Sequence, residues 1–82
     1  MKETSIAVIA IVAENRNHID EMNHVLSAYG EYIIGRMGIP YPKKGVSLIS
    51  VAVDAPNETI SALTGKLCNI EGINVKTAYS KA

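Results

Sequence analysis

Cysteine is nearly absent: Cys68 is the only one in 82 residues. A single thiol forms no intrachain disulfide and completes no metal-ligand spacing. A reducing, cytoplasmic setting is therefore expected. Net charge is also missing, because eight Lys and Arg balance eight Asp and Glu. That balance excludes the basic footprint of a nucleic-acid-binding chain. No polybasic run is available for anionic lipid. Long apolar runs are lacking too. The longest, Ile6 to Ala13, falls far short of the roughly 20 residues a membrane helix needs. Its length would suit a signal-peptide core behind Met1-Lys2, but Glu3 offsets the basic start. Cleavage would also delete the first strand of an otherwise complete fold, so the run is read as a retained strand.

Catalytic signatures are equally sparse. Ser27, Ser47, Ser50, Ser61 and Ser80 have no flanking elbow glycines. Gly35-x-x-Gly38 lies within a strand pattern and not between a strand and a helix, so it is no phosphate or dinucleotide loop. Leu63-Thr64-Gly65-Lys66-Leu67 has the Gly-Lys pair but lacks the earlier glycine and the following Ser or Thr. Gly65 is expected to let a helix approach the sheet closely, with Lys66 facing solvent. His18 and His24 share a predicted helix, but six residues place them about 240° apart around its axis. They cannot hold one metal ion from a single chain. Cys68 reads as a half-buried helix residue beside core positions. No metal site, cofactor or enzyme is expected.

Apolar residues are what the chain has in plenty. They make up 48% of it, and mean hydropathy is positive. A single domain spanning residues 1–82 can hide only about 60–65% of its unfolded surface. Some of these side chains are therefore expected to meet another subunit.

Their spacing gives the fold. Ser5 to Ala13 is rich in β-branched residues and reads as a strand, with Ile6, Val8, Ala10 and Val12 on one face and Ala7, Ile9 and Ile11 on the other. Ile19, Met22, Leu26 and Tyr29 form a helical stripe. Asn15 or Asn17 is expected to cap it, and Gly30 to end it in a left-handed turn. Glu31 to about Ile39 is a second strand, placed at an edge by its glycines and Pro40. Tyr41-Pro42-Lys43-Lys44-Gly45 is turn chemistry. Val46 to Asp54 is a third strand, again apolar on both faces. Ile60, Leu63, Leu67 and Ile70 repeat the helical stripe, with Asp54 or Asn57 as the expected cap, Pro56 in the first turn and Gly72 at the end. Ile73 to Tyr79 alternates as a half-buried edge strand, and Ser80 to Ala82 is a short tail.

The order is βαββαβ, a ferredoxin-like α+β sandwich. Right-handed crossovers give an antiparallel sheet of order 4-1-3-2. Two helices can cover only one sheet face, yet the central strands are apolar on both. The second face is therefore expected to pack on another copy in a homodimer or higher homo-oligomer.

The sharpest local feature is Ile33-Ile34-Gly35-Arg36-Met37-Gly38-Ile39-Pro40-Tyr41-Pro42. Strict alternation sets Arg36 on one face with Ile34 and Gly38. A guanidinium there can grip a carboxylate or phosphate, or pair with an acid such as Glu31 or Asp54. Arg36, Gly38 and Tyr41 are the candidate ligand-binding residues.

The segment Ile33 to Pro40, together with Asn57 to Leu67 and Gly72 to Thr77, resembles the iron-only hydrogenase system regulator family. These bacterial domains are similar to ACT domains and to the C-terminal domain of the nickel-responsive repressor. The resemblance covers nearly the whole chain. It implies a ferredoxin-like fold, oligomerisation through sheets and a regulatory role linked to a hydrogenase system. It carries over no catalytic or ligand residues. The nickel repressor's site needs histidines and a cysteine clustered on and near strands, whereas the histidines here are helical. Only Met1 to Thr4 precedes the first strand, so no DNA-binding arm and no direct operator contact are expected.

The resulting expectation is a non-enzymatic regulatory module that binds a small effector at a subunit interface near Arg36 to Tyr41. The alternative is a protein-interaction or assembly factor for a hydrogenase-system protein, working through its exposed edge strand without a small ligand.

Overall fold

The computed structural model describes residues 3–14 and 17–80. The Met1-Lys2 start, the Asn15 cap and the tail residues Lys81 and Ala82 lie outside them. Within them the chain runs β1 (Ser5–Ala13), α1 (Ile19–Ala28), a 3-10 turn (Gly30–Tyr32), β2 (Ile33–Tyr41), β3 (Val46–Ala55), α2 (Asn57–Cys68) and β4 (Ile73–Tyr79). The sheet order is β2-β3-β1-β4, antiparallel throughout. This is a ferredoxin-like α+β fold with the strand order that the crossover rule predicts.

The central pair shows why. In β1, Ala7, Ile9, Ile11 and Ala13 are at most 1% exposed, while Ile6, Val8 and Val12 are 37–44% exposed. Register pairs Ile9 with Val51 and Ile11 with Ile49, so the buried residues of β1 and β3 share one face. Met22 and Leu26 of α1 and Ile60, Leu63 and Leu67 of α2 close over that face. Each fully buried aliphatic side chain contributes about 1.5–3 kcal/mol. Ile70 and Ile73 continue the core beyond α2, because Ile70 lies in the turn after the helix.

Several local expectations are corrected. The helix caps are not side-chain caps. His18 occupies the position before α1, and Pro56 the position before α2. The Pro56 carbonyl accepts from the Thr59 and Ile60 amides, at 2.9 and 3.1 Å, so the turn closes through backbone alone. Asp54 belongs to β3, and Asn57 is the first residue of α2. Gly30 does not end α1 in a left-handed turn. Tyr29 ends it, and Gly30 opens the 3-10 turn, which delays β2 to Ile33. Positive φ occurs instead at Gly45 (68°) and Gly72 (80°). These two reverse the chain between β2 and β3 and between α2 and β4, a backbone shape that other residues adopt at a cost. Gly65 permits no close approach, since a Cβ there would meet nothing within 4 Å. Lys66 is exposed, as expected, and its Nζ lies 5.3 Å from the Tyr29 ring centroid. Cys68 is exposed, not half-buried.

Candidate functional site

β2 is the outer strand beside β3, and its residues Ile34 to Tyr41 are all exposed. Register with β3 sorts them. Arg36, Gly38 and Pro40 oppose Val51, Ile49 and Ser47, on the face that the helices cover. Gly35, Met37, Ile39 and Tyr41 oppose Ala52, Ser50, Leu48 and Val46, on the open face. A break in register lies between Ile33 and Gly35. It interrupts the alternation that would align Ile34 with Arg36, and Ile33 falls on the covered face in its place.

The candidate residues therefore separate. Arg36 and Gly38 come together on the helix side. Tyr41 belongs by register to the other face. Arg36 also does not find the acids expected for it within the chain. Asp54 pairs with Ile6 on the open face, on the far side of the sheet. The Arg36 Nη2 instead donates to Asn23 Oδ1 of α1 at 2.7 Å.

Both residues line a cleft of about 220 Å³ between α1 and the β2–β3 edge. Met22 and Ile49, both buried, lie at its base, and Asn23, Arg36 and Ser47 bring polar groups to it. Gly38 keeps the wall open, since a Cβ there would meet only Ile49 Cγ1, at 3.9 Å. Asn23 and Ser47 were not singled out by sequence. The available signal was slight: Asn23 lies one helical turn after Ile19, beside the apolar stripe.

The open face carries a second groove of about 190 Å³ among Ala10, Val12, Met37, Ile39, Leu48 and Ser50. Its lining is almost wholly apolar. The histidines take no part in either cavity. His18 Nδ1 sits 3.4 Å from Glu21 Oε1 on α1, and His24 is exposed on the same helix. No cluster of three or more His, Cys, Asp or Glu residues suited to a metal ion occurs among the described residues. No described helix is long and apolar enough to cross a membrane.

A two-layer ferredoxin-like domain with an uncovered apolar sheet face is the class these features define. The chain belongs to the TM1266-like family, described as "Iron-only hydrogenase system regulator, putative", whose profile matches residues 5–77. It is similar in structure to the uncharacterized protein TM1266 from Thermotoga maritima, at 34% sequence identity and a TM-score of 0.94, covering 96% of this chain and 100% of that one. No curated protein matches it.

Proposed function

We propose that this protein is a non-enzymatic, cytoplasmic regulatory module of an iron-only hydrogenase system, acting as a homo-oligomer packed through its open sheet face. The observation that carries the assembly is the row Ile6, Val8, Val12, Leu48, Met37 and Ile39, each 37–63% exposed on that one face. A contiguous apolar surface of this kind marks an interaction site. The regulatory role rests on the family to which the chain belongs. A second copy is the simplest occupant, because a two-fold axis sets the same apolar patch against itself. Asp54 and Lys76 are exposed on this face, one opposite Ile6 and the other opposite Ala10, so a two-fold partner meets charges of both signs. In this reading a small effector biases the assembly through β2, which borders both the cleft and the open face. Sedimentation of the wild type and of Val8→Lys tests it. The wild type is expected as a dimer or larger, and the variant as a folded monomer.

One observation favours a second reading. The outer strand β2 presents its exposed edge over Ile34 to Tyr41. A hydrogenase-system protein could add a strand there through main-chain hydrogen bonds. Loss of a purified partner on Gly38→Pro, with the wild-type oligomer retained, would support this reading over the first.

A further inference from the structure

The cleft between α1 and β2 lies within one chain, on the opposite side of the sheet from the proposed assembly face. Its chemistry is divided. Ile19, Met22, Ile49 and Pro40 are apolar, while Asn23, Arg36 and Ser47 are polar. No acidic side chain is among its described lining residues. The guanidinium has five donors. The bond from Nη2 to Asn23 uses one and ties Arg36 to α1. The Asn23 amide, whose oxygen accepts that bond, has an NH2 group to offer beside it.

We propose that this cleft binds a small monocarboxylic acid with a short aliphatic tail. The carboxylate meets Arg36 and the Asn23 amide, and the tail lies over Met22, Ile49 and Pro40. This inference rests on the effector-binding reading above and moves the effector site from between subunits into a single chain. Three features select the ligand class. One guanidinium, with no lysine or second arginine among the described lining residues, suits a planar monoanion, which it can grip in a fork. The volume is below the roughly 300–1,000 Å³ of drug-sized pockets, which suits a short tail. Gly38 is part of the selection, because any larger residue there would occupy the space of the tail.

The test is titration of the full-length protein with 4-methylpentanoate, followed by calorimetry and amide chemical shifts. 4-Methylpentanamide, acetate and inorganic phosphate are the controls. Saturable binding of 4-methylpentanoate is expected, with shifts centred on Asn23, Arg36, Gly38 and Ser47. The neutral amide should bind about tenfold more weakly or worse, since it loses the charge-assisted bonds. Arg36→Gln should bring 4-methylpentanoate down to the amide's level. Gly38→Val, whose Cβ makes an ordinary contact at 3.9 Å, should abolish binding of both in a folded protein. The proposal is overturned if acid and amide bind equally, if Arg36→Gln leaves affinity unchanged, if phosphate outcompetes the acid, or if the shifts map to the open face. Sedimentation of the same samples separates the two readings. A monomer that binds the acid supports this site and overturns the assembly. An oligomer that does not bind it overturns this site and leaves the assembly standing.

Discussion

The two faces of the sheet are built from the same residue types and end in different environments. On β1, Ile9 and Ile11 are at most 1% exposed beneath the helices, while Ile6 and Val8 are exposed by 44% and 42% on the other side. β3 repeats the contrast with Val51 and Val53 against Leu48. Composition alone does not distinguish the faces. What differs is that α1 and α2 supply Met22, Leu26, Ile60, Leu63 and Leu67 to one face only. The covered face holds the fold together. The open face retains an unsatisfied tendency to leave water, which a partner can satisfy.

Substitutions on each face sharpen that contrast. The largest effect is expected in the core. Ile9→Ala should lower unfolding free energy by about 2–5 kcal/mol in urea denaturation, because the helices and sheet cannot collapse fully into the space. Val8→Ala, its neighbour on the open face, should leave the stability of the monomer within about 0.5 kcal/mol, as surface changes do. A comparable loss at both positions in a monomeric sample would erase the distinction between the faces. Next in size, Gly45→Ala should cost about 1 kcal/mol, since φ is 68° there and the Cβ meets no neighbour, leaving backbone strain as the only penalty. A further effect has the opposite sign. Gly65→Ala on the exposed side of α2 should raise the melting temperature by the equivalent of about 0.5–1 kcal/mol, because nothing lies within 4 Å of the added methyl. A destabilised Gly65→Ala protein would mean that α2 lies closer to a neighbour than it does here.

The fold was largely legible in the residues. β-Branched runs, two matching helical stripes and the crossover rule are each local or topological, and together they lead to the observed strand order. The errors at element ends have a common origin. A side chain able to cap a helix does not oblige the chain to start there. At Pro56 the backbone carbonyl closes the first turn, and Asn57 enters the helix. Gly30 can adopt a left-handed shape, but the chain turns through a 3-10 segment instead.

The site was legible only in part. Arg36 and Gly38 do line one cleft, but Tyr41 falls on the opposite face by register. The register break between Ile33 and Gly35 has no plain sequence signature apart from the glycine, and it takes Ile34 out of alignment with Arg36; Tyr41, five residues beyond Arg36, lies opposite it by alternation alone. Asn23 could not be linked to Arg36 from spacing, because thirteen residues and a turn separate them. Only the packing of α1 over the sheet edge brings them within a hydrogen bond.

The central claim is that the open face is covered by a second copy. Sedimentation equilibrium at micromolar concentration tests it most directly. A wild-type mass at least twice 8.8 kDa, falling to 8.8 kDa in folded Val8→Lys and Leu48→Lys, is the predicted result. A wild type that sediments at 8.8 kDa across that range would contradict it.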